Sequence, residues 1–231
     1  MTLRCLKLFT LLAAMLVVAP AAAEDVKIGA ASITLTHPDE FCPFDKSNPS
    51  DSRVISMIVG GLAGRNRLLG GYAKCDDLQR WRTGKQTLLG DMLQHQTMIA
   101  LMGRDIPKPY AAYRKQFCDQ FRNQGQTLID KISPDVNKRI SSMSADIAIN
   151  EQRMFGVVNG EDERCYVLLL QKIKAETGET FVQLAVFSPV IVKSKMIFTY
   201  LFVRFDEEVG GQPTVNRLSK IAANMEKANG E

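Results

Sequence analysis

The C-terminal third of the chain constrains its fold most. "QRMFGVV-NGED-ERCYVLLLQKIK" sets two long apolar runs around Asn159-Gly160, a dipeptide suited to the positive-φ positions of a tight hairpin. "ETFVQLAVFSPVIV-KSK-MIFTYLFVRF" repeats the arrangement around Lys193-Ser194-Lys195, and Pro189 within it predicts a bulge or an edge position. "QPTVNRLSKIAANMEKANG" follows, opening on Pro213 and carrying Val215, Leu218, Ile221, Ala222 and Met225 on one helical face, with Arg217, Lys220 and Lys227 elsewhere. Laying that face on a meander of about four antiparallel strands buries both.

The preceding residues alternate between types. "ASITLTHP" predicts a half-buried strand ended by Pro38. "NPSDSRVISMIVGGLAG" predicts a helix with Ser50 or Asp51 as N-cap and Val54, Ile55, Ile58, Val59 and Leu62 as its stripe. The glycines at 60, 61 and 64 imply fraying there or a close neighbour. "NRLLGGYAKC" predicts a second strand with a bulge at Gly70-Gly71, and "CDDLQRWRTG" a turn or two of helix closed by Gly84. "TLLGDMLQHQTMIALMG" suits either structure, with extended favoured. "KPYAAYRKQFCDQFRNQG" places Tyr110, Tyr113, Phe117 and Phe121 on one helical stripe with Gly125 as the stop, before a short polar helix broken ahead of Pro134. The order is α+β, without a 20–50-residue repeat. It makes 24–231 one domain with a helical middle segment over about 107–145.

The N-terminus, "MTLRCLKLFTLLAAMLVVAPAAAEDVK", has the layout of a signal peptide: Arg4 and Lys7, an apolar run from Leu8 to Val18, and Ala21-Ala22-Ala23. It predicts cleavage after Ala23 and a periplasmic or secreted location. Neither the 8–18 run nor any later stretch has the roughly 18 apolar residues that a spanning helix needs. Without Arg4 and Lys7, 27 basic residues face 25 acidic ones in the mature chain. That near-balance gives no electrostatic reason for a nucleic-acid partner.

Cys42, Cys75, Cys118 and Cys165 remain after cleavage, an even count in an oxidising compartment. Their separations of 33, 43 and 47 residues match no C-x-x-C or zinc-ribbon pattern. Three pairings are possible. We favour Cys42–Cys75 with Cys118–Cys165, because Cys42 follows a first strand and Cys75 ends the next. Each bridge would add roughly 4 kcal/mol on the chain-entropy view. A reactive thiol would need a depressed pKa, for which Lys74 and Arg164 are the nearest sequence neighbours.

Residues with catalytic chemistry are sparse. The histidines are His37 and His95. His37 with Asp39 and Glu40 is a partial metal site or, preferably, a solvated turn, since zinc usually takes three or four ligands. No G-x-S-x-G, S-x-x-K or H-E-x-x-H occurs. "GGLAGRNR" lacks the P-loop lysine. The acidic groups Glu161-Asp162-Glu163 and Asp206-Glu207-Glu208 lie at turns without calcium-loop spacing. The Tyr110–Phe121 stripe is core or a ligand shelf, core being favoured. Trp81, flanked by Arg80 and Arg82, either forms a binding surface or anchors its short helix on the sheet. The sequence therefore predicts no catalytic, cofactor or metal residue.

Together, "ITLTHPDEFCPFD", the helix after it, "NRLLGGYAKCDDL" and "MIFTYLFVRF" before the closing helix resemble the PsbP/DcrB-like α/β group of small exported proteins. The "PDEFC" and "YAKC" segments also resemble uncharacterised bacterial exported proteins. The resemblance implies a curved antiparallel sheet with helices packed on its faces. It implies an accessory or binding role, toward a small apolar ligand or an envelope protein. A hydrolase or thiol-redox enzyme is the alternative, and would bring a histidine to a carboxylate, serine or cysteine in a cleft. A mainly apolar groove between sheet and helices, poor in ionisable groups, would instead mark the binding protein.

Overall fold

The computed structural model describes residues 23–231 apart from 63, 144–146, 161–163 and 176–177. The expected leader (with Cys5) lies outside the described residues except at Ala23, as does the Glu161–Glu163 cluster. Two strands, β1 (Glu24–Ile28) and β2 (Ala31–Leu35), form a separate antiparallel ribbon. The main sheet has seven strands, all antiparallel: β3 (Phe41–Pro43), β4 (Asn66–Lys74), β5 (Met92–Met98), β6 (Ile147–Asn159), β7 (Cys165–Ala175), β8 (Thr180–Val192) and β9 (Lys195–Arg204). Their spatial order is β3-β4-β5-β9-β8-β7-β6, and the sheet curls strongly into a half-barrel. With α1 (Pro49–Gly61), α2 (Cys75–Arg82), α3 (Tyr110–Met143) and α4 (Gln212–Ala228), the fold is α+β, and helices cover both faces of the sheet. Among the described residues no helix is long and apolar enough to cross a membrane.

The closing helix does what its periodicity predicts. Val215, Leu218, Ile221, Ala222 and Met225 are all nearly or wholly buried, packed on Leu184, Val186 and Leu201 of the meander and on Ile28, Ile33 and Leu35 of the ribbon. Gly211 precedes the helix because a Cβ there would stand 2.6 Å from Leu168. At the far end the Asn229 amide both accepts from and donates to the Thr34 backbone, clamping β2. The strand predicted over "ITLT" therefore exists, but it joins this ribbon and not the main sheet.

The two hairpins close differently. Val192 pairs with Lys195, so Lys193 and Ser194 form a two-residue turn at φ 47° and 61°. Neither is glycine, and such a conformation persists only where its surroundings over-determine it. Here the Lys193 N–H donates to Glu231, Lys193 Nζ to the Ser32 carbonyl, and the Ser194 carbonyl accepts from Ile106 N–H. At the other hairpin Asn159 pairs with Cys165, making the connection longer than an Asn-Gly turn. Pro189 pairs with Phe198 of β9 beyond Phe187, the last β8 residue paired with β7, so it has the predicted edge position.

The helical middle departs most from expectation. The α3 helix runs on past Gly125 and contains Pro134. Gly125 is a site of close approach, not a stop: a Cβ there would meet Met154 at 2.8 Å. Proline in a helix interior costs ~3 kcal/mol. Burial of Ile129 and partial burial of Leu128 and Val136 offset it, and Ser133 Oγ lies 2.7 Å from both the Ile129 carbonyl and the Gln152 side chain. The N-cap of α1 is Asn48, whose side chain accepts from the Ser50 and Asp51 N–H groups; Ser50 and Asp51 lie within the helix. Gly61 faces Ile140 of α3, the close neighbour that the glycines implied.

Candidate functional site

Strand alternation sends one set of side chains toward α4 and the other toward α1 and α3. On β5 the first set is Leu93, His95 and Thr97, and the second is Met92, Gln94, Gln96 and Met98. The α4 side is filled. On the other side the long helix stands off the sheet, and a cavity of about 730 Å³ lies between α1, α3 and the strands.

Apolar groups dominate its walls. On the floor, Phe187 stacks on Tyr200 at 4.8 Å and Tyr200 on Phe202 at 6.0 Å. The α3 stripe meets them from above: Phe117 lies 4.7 Å from Phe121 and 5.8 Å from Phe198, and Phe121 lies 5.4 Å from Phe187. Tyr113, Phe117 and Phe121 are half-buried and line the space, while Phe117 and Phe121 also pack on the buried Val167–Phe187–Phe198 cluster, so the stripe is at once core and cavity wall. Met98 and Ile132 line the cavity while remaining exposed, marking where it opens.

Polar groups inside are almost all amides. Asn66 donates to Gln96, and Gln96 to Gln94, as a chain on one side of the floor. On the other side Gln152, Gln171 and Gln183 sit opposite one another across β6, β7 and β8. The charged side chains in the wall are Arg65 and Asp135, solvent-exposed and 3.6 Å apart. Burial pushes the Tyr200 phenol above its ordinary range, so it stays neutral. The sequence signal for this arrangement was available: each glutamine of "MLQHQTM", "LLLQKIK" and "FVQLAVF" falls in phase with apolar residues.

The cysteines pair as favoured. Cys42–Cys75 joins β3 to the start of α2 with Cα atoms 4.9 Å apart, and Cys118–Cys165 joins α3 to β7 at 5.7 Å. The second bridge fixes the N-terminal part of α3 over the sheet, where Arg114 and Arg164 also grip Glu226 of α4.

The structure separates the Arg80–Trp81–Arg82 triplet. Arg82 is bound to the fully buried Asp51 of α1, and Arg80 to Asp77 and Gln86. Trp81 is half-buried in the cavity wall, with Arg53 over its ring at 5.4 Å and its indole N–H toward the Ser50 carbonyl at 3.4 Å.

Neither histidine lines the cavity. His95 is wholly buried on the α4 side, with Nδ1 3.1 Å from the Thr199 hydroxyl and Nε2 3.0 Å from the Thr36 carbonyl. Desolvation pushes its imidazole down to about 4. His37 sits 3.1 Å from the Pro38 carbonyl with its ring 4.6 Å from Tyr72. Among the described residues no three histidine, cysteine or acidic side chains converge as a metal site would require. Arg65 and Arg67 of the glycine-rich segment contact Asp135 and the Lys27 carbonyl. Asp206 accepts from the Glu208 and Val209 N–H groups as a turn.

Comparison with known proteins finds no matching family model and no matching curated protein. Among solved structures the chain is similar to the Saccharomyces cerevisiae Ran-binding protein Mog1p. The likeness has 9% identity, covers 90% of each chain and has a TM-score of 0.31.

Proposed function

We propose that this is an exported accessory protein that binds a small apolar ligand in the cavity beneath α3, without catalysis. The observation that carries the reading is the cavity itself. Its volume of about 730 Å³ falls in the range of small-molecule pockets, roughly 300–1,000 Å³. Aromatic and aliphatic groups make up most of its lining, with glutamines as the commonest polar residue. Such a space holds apolar molecules because water within it makes too few hydrogen bonds. The leader-like N-terminus and the paired cysteines support a periplasmic or secreted setting. The hydrolase and redox alternative lacks its expected geometry among the described residues: His95 lies on the other face of the sheet, and all four described cysteines are bonded.

The test combines native mass spectrometry with dye binding. Expressed with its leader, the chain should be recovered starting at Glu24, with no free thiol. It should also bind Nile red one-to-one with a large rise in fluorescence. A folded, oxidised protein that leaves the dye dark would overturn ligand binding; recovery of the uncleaved chain would overturn export by this leader.

A further inference from the structure

We infer that the cavity selects an uncharged amphiphile whose hydrogen-bonding group docks on the paired amides of Gln171 and Gln183. This rests on the ligand-binding reading above and names the class of ligand.

Gln171 and Gln183 are direct cross-strand partners on β7 and β8, and both side chains line the cavity. They are 9% and 6% exposed. Among the described residues neither amide has a hydrogen-bond partner, and neither is sealed off from the cavity, so both present their polar atoms to its interior. The other glutamines of the floor are occupied: Gln152 accepts from Ser133, and Gln94 and Gln96 are bonded together. Their in-phase neighbours Leu169, Ile173, Phe181 and Ala185 are apolar. An apolar side chain at 171 or 183 would therefore match its surroundings, and the two amides stand out as polar groups presented to the cavity. Two such amides side by side form a receptor for a group that can both donate and accept, such as a carboxamide or a hydroxyl.

The charge distribution decides against an anion. A carboxylate at this pair would be buried without a counter-charge, which is costly. The next residue along the same register is Arg204, but it is exposed, bound to Glu179 at 3.3 Å and set over Phe181. Arg65 is neutralised by Asp135. Ala185, two residues along β8 from Gln183, leaves room for a chain to pass onto the Phe187–Tyr200–Phe202 band. The polar group thus has one berth and the tail another.

Displacement of Nile red by oleamide and by oleate, at a pH where oleate is ionised, tests the inference. Oleamide should displace the dye at roughly tenfold lower concentration than oleate. In the Gln171→Leu/Gln183→Leu protein about tenfold more oleamide should be needed to displace the dye, because its head group loses both partners, while Nile red itself still binds. The Gln183→Met variant, closer in shape, should weaken oleamide in the same direction, and Arg204→Gln should leave both ligands unchanged. Equal or tighter oleate binding in the native protein would overturn the inference. So would oleamide binding that is unaffected by the glutamine changes, or a preference that collapses with Arg204→Gln. Should the native protein not bind Nile red, the cavity reading fails first; if the dye binds but oleate wins, only the choice of ligand class fails.

Discussion

The same strands present two unlike faces. Toward α4, Leu184, Val186 and Leu201 meet Leu218 and Ile221 with almost no exposed surface. Toward α3, Met92, Tyr200 and Phe202 remain half-buried around a void, and amides sit among the aromatic rings. The cavity-facing residues mix aromatic and aliphatic groups with a set of glutamines, and the long helix lies directly over them. The open face is held open. The Cys118–Cys165 bridge, Arg114–Glu226, and Arg122 on Asn159 hold the N-terminal part of α3 at its height above the sheet. One face is packed to the density of a core, and the other keeps a hollow beside its smaller Val167–Phe187–Phe198 cluster.

The largest effect should follow from releasing that helix. Replacing Cys118 and Cys165 by serine removes a 47-residue cross-link. It should lower the unfolding free energy by ~4 kcal/mol in urea titration. Loss of less than a quarter of that would mean α3 is held by packing alone. Next, Leu218→Ala on the filled face should cost ~3 kcal/mol. The same truncation at Met92, on the open face, should cost clearly less, because its atoms already adjoin empty space. Equal losses at the two positions would erase the distinction between the faces.

Acid should attack the filled face. Burial holds His95 at about 4 in the folded protein, against roughly 6.5 when unfolded. Between those values the unfolded state binds the extra proton, so stability is full above pH 6.5 and declines as pH falls toward 4. The loss should approach roughly 3 kcal/mol. His95→Gln should flatten the pH dependence in that window, and an unchanged slope would assign acid sensitivity to other groups. The smallest effect belongs to the cavity amides. Gln183→Leu should change the stability of the ligand-free protein by less than ~1 kcal/mol, because its amide faces the cavity and loses no protein partner; a larger destabilisation would show that the amide serves the fold.

Much of the architecture was legible because it depends on local pattern. Alternation around Lys193-Ser194 and the 3.6-residue stripe of α4 each follow from neighbours in sequence, and each element stands where its period places it. Gly125 and Pro134 misled for the same reason. Their local meaning is to end a helix, and it was overridden by Met154 approaching one and by apolar burial beyond the other. The site was harder to see. Gln152, Gln171 and Gln183 lie on three strands and become one row only through the register of two hairpins.

The sequence by itself determined an α+β chain with a C-terminal meander and a closing helix, and an even number of cysteines open to cross-linking, since periodicity and chain order are carried by residues close together. Only the tertiary structure decided that the aromatic stripe of α3 roofs a hollow and that two glutamines on neighbouring strands end up facing the same emptiness. The physical reason is that a void has no sequence signature: it depends on the height at which one element is held above another, and that height is set by contacts between residues far apart in the chain.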